Sequence, residues 1–269
     1  MTDHHNHTRR NFMRSIGVGM ATLPVMPAVL PGESATADAR QLGRISESTI
    51  AQQRLPESVI AGWRKLQGDI ASICDVLVTL NLQNCVYHGG VQPLDPRHMM
   101  CGPARTMRLI PMQDPRNQKT EEVHPMSLMD DAQPGDIIVI DQGGMLDKCI
   151  WGGNTATAAW LKGIGGVLID GAARDGLQIL ETGVPHFVKG TTPRAAHFVY
   201  RSTSVMSDPV QIGTTSVAPG DLVIGNLDGI VVIPRARAAE ILPLATEKHL
   251  SDQKGQQANR GKKPIERPR

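Results

Sequence analysis

The sequence predicts a single α/β domain with a βαβ core and additional short strands. Three observations carry that reading. Residues 137–140 and 167–169 are short apolar runs of Ile, Val and Leu, the composition of strands buried on both faces. Between them, 154–162 is good helix material, and Gly163 stands where a helix C-terminal glycine belongs. PGDIIVIDQGG and PGDLVIGNLDG repeat one device: a Pro-Gly turn delivers the chain into a strand, and Asp or Asn with Gly ends it. Two apolar strands joined through one helix make a right-handed crossover, so the strands run parallel.

Residues 1–37 are not fold. Thr8-Arg9-Arg10-Asn11-Phe12-Met13 resembles a twin-arginine export signal, followed by a mildly apolar run at 16–30 broken by Gly and Pro. Ala35-Thr36-Ala37 then offers small residues to a signal peptidase, and the expected destination is the periplasm. The run is too short and too interrupted for stable membrane insertion. With that leader removed, about 230 of the 269 residues remain, within the range of one domain.

Residues 38–69 form a polar N-terminal helical extension with Trp63 and Leu66 as anchors. Residues 70–82 continue as a helix carrying Asp75, expected on the helix surface or at a cap. His88-Gly89-Gly90 and 93–96 are turn chemistry. No carboxylate or second histidine is near His88 in sequence, so it reads as a solvated loop residue. Residues 101–111 form a strand entering the sheet. The segment 113–125 is a polar loop, and its Glu121, Glu122 and His124 have the spacing of a solvated segment.

Beyond the βαβ core, 185–189 is another strand, 199–210 an irregular or β segment, and 237–249 an amphipathic helix. A basic tail at 251–269, rich in Gly, Gln, Lys, Arg and Pro, is expected to be disordered. The fold proper is expected over 70–250.

Composition excludes some functions. A net charge of +2 is too small to imply a nucleic-acid partner. Aromatic residues make up 3% of the chain, too few for a platform that stacks single strands. Cys74, Cys85, Cys101 and Cys149 match no zinc spacing. They read as buried thiols, although an oxidising compartment permits disulfides.

The crossover topology has a chemical consequence. The helix runs antiparallel to both strands, so Gly152-Gly153-Asn154-Thr155 at its start lies at the same sheet edge as Arg174 and Asp175. Open α/β sheets bind ligands at such edges. Arg174 is a planar fork for a carboxylate, and Asp175 a ligand for a hard cation. Two plainer roles stand beside these. Asp175 precedes Gly-Leu-Gln-Ile-Leu-Glu and suits an N-cap, with Arg174 as its ion-pair partner. Gly152 and Gly153 suit a tight loop feeding a helix. Asp170 reads as a strand-end hydrogen-bonding residue, and Lys148 and Lys162 as surface residues.

At these residues the chain resembles a known family. WGGNTATAAWLKGIGGVLIDGAARD, CGPARTM at 101–107, GVPHFVKGTTP at 183–193 and VAPGDLVIGNLDGIVVIP at 217–234 are similar, in order, to segments of the RraA-like family. That family contains 4-hydroxy-4-methyl-2-oxoglutarate aldolases, oxaloacetate decarboxylases and the RNase E regulator RraA. The resemblance implies an RraA-like swivelling β/β/α-type domain and a divalent-metal-dependent lyase of class II type. Such an enzyme cleaves a 4-hydroxy-2-oxo acid to pyruvate and also decarboxylates oxaloacetate.

The resemblance implies roles for particular residues. Arg174 and Asp175 are the catalytic pair, with Asp175 as the ligand for Mg²⁺ or Mn²⁺. Gly152, Gly153, Asn154, Thr155 and Arg174 bind the small 2-oxo acid. Trimers or hexamers with sites near subunit interfaces follow too, with Glu247 the nearest candidate for a residue lent by a neighbour. The chain departs from the aldolases at Gly153, where they commonly carry an acidic residue. The competing readings are a non-catalytic regulator of the RraA type and a periplasmic carboxylate-binding protein.

Overall fold

The computed structural model describes residues 54–87, 89–111, 125–130, 132–196, 200–206 and 208–260. The chain divides into Met1–Arg40 and Gln41–Arg269. The export signal, the start of the helical extension, His88, and Glu121, Glu122 and His124 lie outside the described residues.

Helices α1 (Glu57–Arg64) and α2 (Ile70–Thr79) come first. Then follow β1 (Gln92–Pro93), β2 (Met100–Pro111) and β3 (Ile137–Met145). Helix α3 (Gly153–Leu161) leads to β4 (Gly166–Ala173), and α4 (Gly176–Glu181) to β5 (His186–Thr191). Strands β6 (Tyr200–Val205), β7 (Val210–Ile212), β8 (Thr215–Val217), β9 (Leu222–Asn226) and β10 (Gly229–Ile233) precede a last helix, α5 (Ala238–Arg260). The fold is a mixed α/β single domain.

The main sheet runs β1-β5-β4-β3-β2-β9-β10, with β6 also on β2. Strands β2 to β5 are mutually parallel, with Ile138 opposite Val167 and Leu168 opposite Phe187. The expected β3-α3-β4 unit is therefore present, with its strands adjacent and parallel. Strand β2 serves both parts of the sheet: Met100 to Pro103 pair antiparallel with β9, and Ala104 to Arg108 pair parallel with β3. Strands β7 and β8 form a separate hairpin.

Alternation along the strands builds three cores. Ile138, Ile140, Val167 and Ile169 face α3 and α4, packing with Trp151, Ala156, Ala159 and Ile179. Ile137, Val139, Leu168 and Phe187 face the other way, against Val210, Ile212 and Val217 of the hairpin. Leu222, Ile224, Val231 and Ile233 pack on Trp63, Ile73, Leu77 and Ile241 of the three remaining helices. A fully buried Ile, Val or Phe contributes roughly 1.5–3 kcal/mol by leaving water, so alternation fixes the register of these strands.

The two Pro-Gly-Asp segments form the same turn. Asp136 N donates to Gln133 O at 3.0 Å and Asp221 N to Ala218 O at 3.1 Å, closing a four-residue turn in each case. Gly135 and Gly220 hold φ of 86° and 84°, which a type II turn requires at its third residue. The Asp carboxylates accept back from Gln133 N and Ala218 N, both at 2.9 Å. After α3 the expected glycine stop is a Schellman closure: Ile164 N donates to Ala159 O and Gly163 N to Trp160 O.

Helix α5 continues beyond the expected end at residue 249, so 251–260 are helix rather than disordered tail. Local pairs one helical turn apart explain the extension. Lys248 meets Asp252 at 2.5 Å, and Gln253 meets His249 at 2.9 Å. Asp252 also accepts from Ser72 Oγ, and His249 pairs with Asp69, which ties this turn to α2. Asp75 lies on the surface of α2 and meets Lys248 at 3.1 Å. Residues 261–269 are outside the described part. Cys74, Cys85, Cys101 and Cys149 all carry free thiols, and burial pushes that of Cys101 up to about 12.

Candidate functional site

The loop after β3 runs from Leu146 to Gly152 and enters α3. It is stapled along its length. Gln142 Nε2 donates to Lys148 O at 2.6 Å. Cys149 N donates to Arg194 O at 3.0 Å, and Ala196 N to Cys149 O at 2.7 Å. Arg174 N donates to Trp151 O at 3.0 Å, which lays the start of α3 against the end of β4.

Gly152, Gly153, Arg174 and Asp175 thus meet at the carboxyl ends of the parallel strands. Gly153 N donates to Asp175 Oδ2 at 3.1 Å, and Arg174 Nε lies 3.5 Å from the same oxygen. A side chain at Gly152 would begin 2.8 Å from Asp175 Oδ2 and 3.0 Å from Arg174 Nε, so only glycine admits this approach. Asn154 and Thr155 occupy the first turn of α3, where backbone N–H groups have no intrahelical acceptor. Asn154 is exposed and Thr155 buried.

Asp175 sits at the N-cap position of α4, yet its side chain caps nothing there. Its backbone is left-handed, at φ 57° and ψ 42°. Asp and Asn tolerate that conformation better than most side chains. The turn directs the carboxylate across to the neighbouring helix. The plain capping role is therefore not what this residue performs.

Gln178, which the sequence reading passed over, covers Gly153: a Cβ at position 153 would collide with its carboxamide. The group that reaches over Gly153 is a neutral amide from α4. The sequence around Gln178 carries no local signal of this, because the contact joins two different helices.

Asp170 lies away from this group, on the opposite sheet face. It pairs with Lys189 at 2.6 Å and accepts from Gly213 N at 3.2 Å, securing the β7–β8 hairpin. Lys148 is half-buried beside Asp147, Lys162 is exposed, and Glu247 is exposed on α5. A recess of about 450 Å³ opens at the amino ends of the strands, lined by Glu57, Arg64, Met100 and Gly135, remote from Asp175.

Among the described residues no three His, Cys, Asp or Glu side chains form a cage for a metal. The carboxylate that is present suits a different kind of site. Among the described residues the partners of Asp175 lie at Oδ2, and the side chain is 37% exposed. Mg²⁺ commonly binds through one or two carboxylates, keeping waters and substrate oxygens as its other ligands. The donor set fits such an ion.

The family model described as Aldolase/RraA, RraA-like, matches residues 70–232. The chain belongs to the RraA-like family. A candidate 4-hydroxy-4-methyl-2-oxoglutarate aldolase of Halalkalibacterium halodurans is 31% identical over 170 residues, covering 62% of this chain and 75% of that protein. The 4-hydroxy-4-methyl-2-oxoglutarate aldolase of Thermus thermophilus is 27% identical over 107 residues, covering 40% of this chain and 64% of that enzyme. Among solved structures, Streptomyces coelicolor RraAS2, described as an unusual member of the RNase ES inhibitor RraA family, superposes with a TM-score of 0.67. It is 27% identical, over 76% of this chain and all of that one. No helix among the described residues is long and apolar enough to cross a membrane.

Proposed function

We propose that this chain is a divalent-metal-dependent lyase that releases pyruvate from a 2-oxo acid bound at Arg174 and Asp175. The observation that carries the reading is the Asp175 carboxylate, turned from its own helix onto the start of α3 beside a guanidinium. Likeness to aldolases of the family supports it.

Arg174 would grip the substrate carboxylate through its planar fork. The amides of Asn154 and Thr155 add donors at the positive end of the α3 dipole. Asp175 would hold Mg²⁺ or Mn²⁺, which supplies Lewis-acid stabilisation of negative charge on the 2-oxo group. Cleavage of the bond between C3 and C4 leaves its electron pair on the pyruvate fragment as an enolate. Arg174 stabilises that charge, and a proton from water at C3 completes pyruvate.

The chain favours one version of this chemistry. Retro-aldol cleavage needs a base for the proton of the 4-hydroxyl group, and position 153 supplies none. Oxaloacetate needs no such base, because its departing fragment is carbon dioxide. Decarboxylation therefore asks less of these residues than aldol cleavage does. Pyruvate release from oxaloacetate and from 4-hydroxy-4-methyl-2-oxoglutarate, with and without EDTA, tests the reading. Metal-dependent release, faster from oxaloacetate, is expected; none from either substrate would overturn it.

Likeness to RraAS2 favours a second reading, a regulator without chemistry. It predicts no pyruvate under any metal condition. A homotrimer or hexamer is proposed as well, since Leu177 next to the site and Trp160 and Leu161 at the far end of α3 are 80%, 57% and 72% exposed.

A further inference from the structure

Trp151 immediately precedes the Gly152–Gly153 turn, and its indole is fully buried. Its Nε1–H donates to Nε2 of His186 at 2.9 Å. His186 lies on β5, is itself fully buried, and meets the indole with ring centroids 5.9 Å apart. Its other ring nitrogen, Nδ1, lies 2.7 Å from Val184 O. A carbonyl can only accept, so Nδ1 carries the proton and Nε2 is left bare to accept from the indole. Both ring nitrogens are thus committed, and the tautomer follows from the partners.

This contact reaches the site through the backbone of the same residue. Trp151 O accepts from Arg174 N, and Gly152 O accepts from Ala156 N at 3.0 Å. One side chain from β5 therefore fixes the residue that carries the α3 start on one side and the Arg174 backbone on the other.

We infer that His186 is a positioning residue: through Trp151 it holds the Gly152–Gly153 turn and Arg174 in register for the ligand. The effect on substrate rests on the lyase reading; the effect on loop order does not. His186 touches no reacting atom. Its role is to supply one acceptor, at one depth in the core, for one indole.

The test uses the full chain and three substitutions. Trp151→Phe keeps an aromatic ring but removes the N–H donor and some of the buried volume. His186→Leu removes the acceptor, and His186→Gln restores one. Amide hydrogen exchange over residues 149–155 reads the loop, and calorimetric titration with pyruvate in Mg²⁺ reads the site. Trp151→Phe and His186→Leu should speed exchange in this segment by about tenfold, beyond any change in the core strands, and weaken pyruvate binding by a similar factor. His186→Gln should return both to within about threefold of the parent. Unchanged local exchange in Trp151→Phe, or acceleration matched throughout the core strands, would overturn the inference. So would a His186→Gln variant no better than His186→Leu. A parent chain that binds no pyruvate speaks against the lyase reading, and the exchange measurement still decides the role of His186. If His186→Leu does not fold, Trp151→Phe and His186→Gln decide it between them.

Discussion

The Asp175 carboxylate accepts the amide of Gly153, 3.1 Å away on another helix, while its own backbone is left-handed. The left-handed backbone and the cross-helix bond belong together. A right-handed Asp175 would continue into α4, and its carboxylate would follow that helix instead of crossing to α3. The relationship separates what position 175 needs for folding from what it needs for chemistry. Folding asks for a residue that accepts a φ of 57°; chemistry asks for an anion.

Substitutions at 175 should divide along that line. Asp175→Gly accepts the backbone freely and should cost less stability than Asp175→Ala, which meets roughly 1–2 kcal/mol of left-handed strain. Chemical denaturation of the two variants checks this. Equal stabilities would show that the left-handed turn is not retained in solution.

Arg174→Lys keeps the charge and loses the fork. A carboxylate held by two parallel N–H bonds should then bind about tenfold more weakly, with smaller change in turnover at saturation. Steady-state kinetics with oxaloacetate read it. An unchanged KM would remove Arg174 from substrate binding.

Acid should destabilise the fold through His186. Burial is the main cause that pushes its pKa down from 6.5 to about 4; nearby His98 adds to this, and the Val184 carbonyl opposes it. Above the unfolded value both states are neutral and the group contributes no pH dependence. As pH falls from about 6.5 towards 4, the unfolded chain takes a proton that the folded chain refuses, so stability drops. The loss approaches about 3 kcal/mol, because each pH step of one between the two values costs about 1.36 kcal/mol. Denaturation midpoints of the parent and His186→Gln between pH 7 and pH 4 should converge; parallel curves would show that His186 does not titrate in this window.

Much of the scaffold was legible because its causes are local. The Ile-rich run at 137–140 and the Gly163 stop need only their neighbours, and the paired Pro-Gly-Asp turns need only three residues. The meeting of Gly152 with Arg174 followed from crossover topology alone. What escaped depends on tertiary contact. Nothing near Gln178 in sequence shows that it reaches over Gly153. The bond from Trp151 to His186 spans thirty-five residues and joins the loop before α3 to the start of β5. A histidine in an apolar strand was the available signal, and its partner could be seen only once β5 lay beside β4. The end of α5 is hidden for the same reason: composition suggests a tail, whereas contacts with Asp69 and Ser72 hold 249–252 to the body of the protein.

We propose export from Arg9 and Arg10, which lie outside the described residues. Replacing both with Lys should leave the precursor in the cytoplasm, read by fractionation. An unchanged periplasmic yield would contradict the twin-arginine signal.

The central claim is that Asp175 serves chemistry as an anion. Asn tolerates the left-handed turn nearly as well as Asp and keeps an oxygen for Gly153 N, so Asp175→Asn should fold with the stability of the parent. It replaces a hard anionic ligand with a neutral one. The decisive measurement is the rate of pyruvate release from oxaloacetate by the parent chain and Asp175→Asn, each stripped with EDTA and resupplied with Mg²⁺ or Mn²⁺. The predicted result is a metal-restored rate in the parent and loss of most of it in the variant. A folded Asp175→Asn chain that regains the parent's full metal-dependent rate would contradict the claim.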